Sequence, residues 1–455
     1  MNRKESSWPN HRTAYAVLLL CAVAFLLTPA LGFSTMSYPV PDFKTVYSSA
    51  RALADGGDPY NSGVLLEQYR EGGGEVSAKS HLSAFLPHQA LYPPSSLFWI
   101  FPFALLPWRS ALIAWLVVSG CLFVTSTFLI ADICCQWDSG IPIILLGVFL
   151  ATSTLLLTTA QPSAVAISLC VIGVWSLVRD RWIGLGVISF ALSLAIKPQI
   201  GGPLLLYYLL SRSNNRRRAV MIVVATVILC LPGIFWAANS PAASNWPHEL
   251  HTNIAASSKP GQINDPGPSS YNAPLIIDLQ SVIALFDNNP SSYNRVSWGI
   301  VGALIVMWGF AAWWGRPSLE KDLLGLATIA CLGLLPIYHR HYDLRLLIVT
   351  FPACALLMVK GRMMARGVPL LPPLAAIACS HPTFIRDHLH LQQASMGPIE
   401  TMFLLRLASI TVLVSGIFYL VLFWRASVGP RYRDNGVRNE VSTCLVPAFD
   451  GSDRE

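Results

Sequence analysis

Charge is what this sequence has least of. Acidic and basic residues make up 12% of its 455 residues, against 53% hydrophobic, and ordinary soluble chains carry about a quarter charged. So little charge cannot solvate a globular surface, and much of this chain must face lipid. Other signatures are missing too. The 10 cysteines lie in apolar runs or in segments assigned below to the cytoplasm, so no disulfide framework is expected, and no Cys/His spacing suits zinc. There is no convincing internal repeat. The one glycine run, Gly72-Gly73-Gly74, follows no strand and precedes no lysine motif, which makes it a flexible loop and not a phosphate cradle.

The formal net charge of +7 could suggest nucleic acid, but its distribution argues against that. With the amino terminus placed in the cytoplasm, the segments on that side hold 19 Lys and Arg, and the longer loops opposite hold about 10. That asymmetry is the positive-inside bias of a multi-pass membrane protein, and it sets the orientation.

Apolar runs long enough to cross a bilayer, about 20 residues, recur along the chain. They predict an all-α polytopic membrane protein with about twelve transmembrane helices, in a range of ten to thirteen. Candidates are 14–33, part of 97–131, 141–160, 163–178, 182–196, 199–210, 219–238, 296–314, 322–337, 344–359, 368–380 and 401–424. The first run follows Arg3, Lys4 and Arg12 like a signal peptide, but its length favours a retained span. Residues 1–424 then form one membrane domain, and 425–455 a flexible cytoplasmic tail. Leu97 to Trp108, broken by Pro102 and Pro107, suits a helix lying in the interface. Three long loops, 34–96, 239–295 and 381–400, face outward in this arrangement. Within the second, Ile276 to Phe286 reads as an amphipathic surface helix.

One stretch is too short for its task. Between the basic residues Arg181 and Arg212 lie two apolar runs that meet at Lys197-Pro198-Gln199. A 15-residue helix rises roughly 22 Å, less than a hydrocarbon core about 30 Å thick. Lys197 therefore sits at membrane depth or on the floor of an outward cavity. A lysine there needs a partner, water or a functional reason; the alternative is that it snorkels out to headgroups.

The remaining polar groups gather at outward span ends. Asp42, in Pro41-Asp42-Phe43-Lys44-Thr45-Val46-Tyr47, lies just beyond the first span. It suits either a helix cap or a general base at the membrane surface. Asp58, in Gly56-Gly57-Asp58-Pro59-Tyr60, is in a turn sequence. Tyr92-Pro93-Pro94 opens the interfacial segment, and Gln161-Pro162-Ser163 forms another outward turn. Tyr338-His339-Arg340-His341-Tyr342-Asp343 crowds ionisable groups at one span end. His339, Arg340 and His341 can receive a phosphate through charged hydrogen bonds, or the cluster is an interfacial anchor belt. His248, Glu249 and His251 could line an acceptor site.

Taken in order, these motifs resemble the polyprenol-phosphate-mannose-dependent mannosyltransferases of glycosyltransferase family 87, membrane enzymes of the GT-C type. The resemblance runs from the first span to about Pro352 and is strongest at 41–60, 92–108 and 338–347. It implies a GT-C fold and an inverting transfer of mannose from a polyprenyl-phosphate donor to a lipid or glycan acceptor hydroxyl. That transfer would occur at the outer face of a cytoplasmic membrane, with no cofactor, metal or nucleic acid. It implies Asp42 as catalytic base. Lys197, His339, Arg340, His341, Asp58, Tyr92 and Gln161 would contact substrate. The rivals are a multi-span secondary transporter and a lipid-linked polymer ligase.

Overall fold

A computed structural model describes residues 10–35, 41–74, 90–137, 140–212, 215–268, 270, 272–315, 317–360, 367–379 and 396–428. Most of the third long loop, and the tail beyond residue 428, lie outside them. The described residues are nearly all helical; their one β feature is a single antiparallel bridge between Ile276 and Arg340.

The chain starts with α1 (His11–Thr35), then packs three helices into the first long connection: α2 (Pro41–Ala54), α3 (Ser62–Glu71) and α4 (Pro94–Ala104). α5 (Trp108–Cys134) follows, then α6 (Ile141–Ala151), which runs through a 3-10 turn into α7 (Leu155–Thr158). Next come α8 (Pro162–Arg179), α9 (Ile183–Ile196), α10 (Pro198–Leu210) and α11 (Asn215–Asn239). The second long connection carries α12 (Trp246–Ser257) and α13 (Gln280–Ile283). Beyond it lie α14 (Pro290–Trp314), α15 (Leu319–Leu332), a 3-10 segment Asp343–Thr350 continuing as α16 (Phe351–Lys360), α17 (Leu371–Ala378), α18 (Pro398–Leu405) and α19 (Leu407–Val428).

Among the described residues, seven helical segments are long and apolar enough to cross a membrane: His11–Thr28, Trp108–Cys134, Ile141–Thr158, Pro162–Arg179, Asn215–Asn239, Pro290–Trp314 and Leu407–Val428. The other passes expected from the sequence fall on shorter apolar pieces, α9, α10, α15, α16 and α17. Large apolar side chains stay exposed along the outer helices: Leu19 and Leu20 on α1, Val224, Val227 and Ile228 on α11, Val306 and Phe310 on α14. In water such stripes would be a liability; against lipid tails they are the ordinary surface of a spanning helix.

Local chemistry sets the boundaries. Pro162 and Pro198 occupy the first helical position of α8 and α10, where a missing N–H costs nothing. Asn289 caps α14 by accepting from the Ser291 amide at 3.0 Å, and Ser318 caps α15 through the Lys321 amide at 3.2 Å. Gly173 of α8 faces Phe190 of α9, and Gly186 of α9 faces Ser176 of α8, with no room for a Cβ at either contact. Small residues let these two helices approach closely, the way membrane helices associate without a hydrophobic driving force.

Two ends result. One carries Asp132, bonded through both carboxylate oxygens to Arg179 (2.7 and 3.0 Å) and to the Trp175 indole (2.9 Å), and Arg212 stacked on Trp313. The other gathers the long connections and the turns at Gln161, Lys197 and Tyr338–Tyr342. There Ile276–Phe286 departs from the expected surface helix. Only Gln280–Ile283 is helical, because the preceding backbone is used elsewhere. The Ile277 amide donates to His339 O (3.0 Å), Leu279 to Leu335 O (3.1 Å), and His341 returns a bond to Leu275 O (3.2 Å). The second connection is thus strapped along the His339–Tyr342 segment.

Candidate active site

The centre of the loop end is Lys197. α9 ends at Ile196 and α10 begins at Pro198, leaving Lys197 alone in a non-helical conformation (φ −149°, ψ 82°) between two short helices. Its side chain turns inward, 6% exposed, instead of reaching out to headgroups. Nζ lies 2.7 Å from Asp343 Oδ1 and 2.6 Å from Ser163 Oγ, and 5.0 Å above the Tyr342 ring. Ser163 Oγ in turn donates to Asp343 Oδ1 at 2.7 Å. The partner that this buried lysine takes is therefore a carboxylate from a distant part of the chain.

Asp343 is shared. Its Oδ2 lies 3.1 Å from His339 Nδ1 and accepts the Arg340 amide at 3.3 Å. His339 is fully buried, and its Nε2 has no hydrogen-bond partner among the described residues. Buried polar atoms are almost always satisfied, so this nitrogen marks a place where water or substrate belongs.

Asp42 acts on the same group of residues from α2. It lies in the first turn of α2, past the cap position, where a carboxylate complements the helix dipole. The next residue, Phe43, is buried on Trp115 and Trp108 (ring centroids 5.1 and 5.7 Å). That anchor fixes the first turn, and Asp42, about 100° further round the helix, stays half-buried. Its field reaches four groups. Burial pulls the Arg340 guanidinium down, but Tyr338, Tyr342 and Asp42 together hold it above its ordinary value. The hydroxyls of Tyr92, Tyr338 and Tyr342 are pushed up, by burial first and by Asp42 among their charged neighbours.

Tyr92 joins this group to Gln161 through a 3.3 Å bond from its hydroxyl to Oε1. The turn that presents Gln161 is strained: Ala160 takes a left-handed conformation (φ 52°), at a cost of roughly 1–2 kcal/mol for a residue with a Cβ. The Trp115 indole holds it by donating to Ala160 O at 2.9 Å. One tryptophan thus braces both the Asp42 turn and the Gln161 turn.

Of the eight residues singled out from the sequence, Asp42, Tyr92, Gln161, Lys197, His339 and Arg340 fall into this connected group. Arg340 bonds the Tyr338 hydroxyl through Nε and Ile263 O through Nη2 (2.9 Å). His341 is directed instead to the Leu275 carbonyl (3.0 Å) as part of the strap. Asp58 sits in a turn, accepting the Tyr60 amide at 2.8 Å, with Glu249 of α12 beside it; burial and then Asp58 push the Glu249 carboxyl up. Tyr60 ties that turn to the site by donating to Tyr92 O at 3.0 Å. The residues passed over as functional groups were Asp343 and Ser163. Their signal was the lysine itself, since a lysine buried between two short apolar helices demands a counter-charge. Among the described residues, no group of three or more His, Cys, Asp or Glu converges to hold a metal ion.

The model of glycosyltransferase family 87 matches residues 90–337, more than half the chain. The protein belongs to glycosyltransferase family 87. No curated protein and no solved structure matches it. Family 87 membership makes the chain a glycosyltransferase carried by a multi-pass membrane scaffold, and it sets the secondary-transporter reading aside. The matched range contains Tyr92, Gln161, Ser163 and Lys197. Asp42 and Asp58 lie before it, and the His339–Asp343 segment begins just after it.

Proposed function

We propose that the chain moves a sugar, mannose, from a polyprenyl-phosphate donor to a hydroxyl of a lipid or glycan acceptor, at the outer face of the cytoplasmic membrane and on a GT-C scaffold. The observation that carries the reading is that Asp42, a half-buried carboxylate, acts on Arg340, whose own amide bonds Asp343 in the Lys197–Asp343–His339 network.

The chemistry needs few groups. As the acceptor oxygen forms its bond to the anomeric carbon, Asp42 takes the hydroxyl proton. The bond from that carbon to the phosphate oxygen breaks with inversion, and the electron pair leaves on polyprenyl phosphate. The phosphate gains a negative charge and needs no proton, so one carboxylate suffices, unlike the pair required for glycoside hydrolysis. Arg340 and the unsatisfied Nε2 of His339 face the developing charge, and preorganised donors of this kind act where charge appears in the transition state. Lys197 supplies its charge from beside Asp343, Tyr92 and Gln161 line the donor sugar, and Asp58 with Tyr60 holds the outer wall. His341 secures the strap behind them.

The test uses membranes containing the protein and radiolabelled polyprenyl-phosphate-mannose. Labelled lipid or glycan forms with the wild type and disappears with Asp42→Asn. Membranes that transfer no mannose while using another polyprenyl-phosphate sugar would correct the donor; an absence of transfer from every such donor would sink the reading.

A further inference from the structure

A second basic group at the loop end is unexplained by that chemistry. Arg406 joins α18 to α19, is 1% exposed, and makes one side-chain hydrogen bond, from Nε to Ser281 O at 3.3 Å. Both terminal nitrogens, Nη1 and Nη2, are buried without a hydrogen-bond partner among the described residues. Asp278, whose charge acts on it, is not ion-paired with it and commits Oδ1 to the Ser281 amide at 2.8 Å. Two unmatched guanidinium nitrogens are costly to bury, and a guanidinium fork matches phosphate.

The surroundings suit the same guest. Arg406 immediately precedes α19, a helix of 22 residues, whose first amides have no carbonyl partner within the helix and favour an anion. Ser281 Oγ donates to Asp278 O at 2.8 Å and lies 3.4 Å from Ser409 Oγ in that first turn, so Ser281 braces the Arg406 fork against the helix start and leaves the donating to Arg406, Ser409 and the first amides. The exposed apolar side chains of Ile399 and Phe403 on α18 give the place a flank that suits lipid. It is also close to the proposed transfer site, since Leu279 and Gln280 bond Leu335 O (3.1 Å) and Pro336 O (3.0 Å), a few residues before His339.

We propose that Arg406 and the first turn of α19, braced by Ser281, form a second anion site, which takes the phosphate of a membrane lipid of net negative charge. Its use to hold a phospholipid anchor of the acceptor rests on the transferase reading; the binding does not.

Native mass spectrometry of the full chain, with phosphatidylglycerol or phosphatidylcholine added and no sugar donor present, reads the site directly. The wild type should retain phosphatidylglycerol over phosphatidylcholine. Arg406→Gln should lose about ten- to hundredfold of that preference, the range for a charged hydrogen bond, and Arg406→Lys should keep part of it. Thermal shift with inorganic phosphate separates the sources: stabilisation by free phosphate without lipid retention overturns the lipid assignment. Equal retention of the two lipids by the wild type overturns the site without any variant being needed. So does retention indifferent to Arg406, which would belong to the Arg212 and Arg216 surface at the other end. Loss of retention in Arg406→Gln alongside full transfer by Asp42→Asn would leave the site standing and remove the catalytic reading.

Discussion

Lys197 and Asp343, 146 residues apart in the chain, form an ion pair at 2.7 Å with side chains 7% and 2% exposed. Pairs this deep contribute little net stability compared with apolar residues, yet breaking one by removing a single partner typically costs about 3–5 kcal/mol. Lys197→Met should therefore lower the unfolding temperature sharply, and adding Asp343→Asn should restore most of it, because asparagine still serves Ser163 and His339. Transfer should not return with stability. Lys197→Met should lose about ten- to hundredfold, the worth of a charged contact, and Lys197→Arg less. Normal transfer by Lys197→Met would leave the lysine a purely structural role.

Orientation follows from the basic asymmetry. Cysteines placed at exposed Ser244 and Ala426, in a background without reactive thiols, should label from opposite sides of the membrane. Ser244→Cys should react with an impermeant reagent in intact cells, and Ala426→Cys only after permeabilisation. Reaction of both from one side would undo the arrangement.

Asp278 offers a pH test of the second connection. Burial pushes its carboxyl up from 3.8 to about 7, against the opposing pull of the Ser281 amide and hydroxyl and of Arg406. A folded pKa above the unfolded one means that the native state holds the proton longer. The contribution is therefore fully present below about pH 4 and lost as pH rises through about 7. The wild-type melting temperature should fall relative to Asp278→Asn across that window and level off above it. Parallel curves at all pH values would show that Asp278 is not held neutral by burial.

The segmented helical architecture was legible because length and hydropathy are local properties, and the short apolar runs flanking Lys197 announced a helix break at depth. The pairing of Lys197 with Asp343 was not legible. It depends on α8, α9 and the 3-10 segment at 343 packing together, and nothing near Lys197 in the chain names its partner. Ile276–Phe286 misled for a related reason. Its amphipathic pattern is real, but its backbone bonds go to Leu335 and His339, a tertiary demand that overrides helical propensity. Arg406 gave no sequence signal either, since a basic residue at the head of a span is commonplace until its nitrogens are seen to lack partners.

The most direct measurement compares Asp42→Asn with Asp58→Asn in membranes at matched protein levels. Asparagine caps and turns about as well as aspartate, so both variants should fold and insert. If Asp42 is the base, its variant should lose on the order of a hundred- to ten-thousandfold in transfer rate. Asp58→Asn, whose carboxylate accepts the Tyr60 amide in a turn, should lose far less. Near-normal transfer by Asp42→Asn, with the loss falling on Asp58→Asn, would contradict the account and move the base to the Asp58–Glu249 pair.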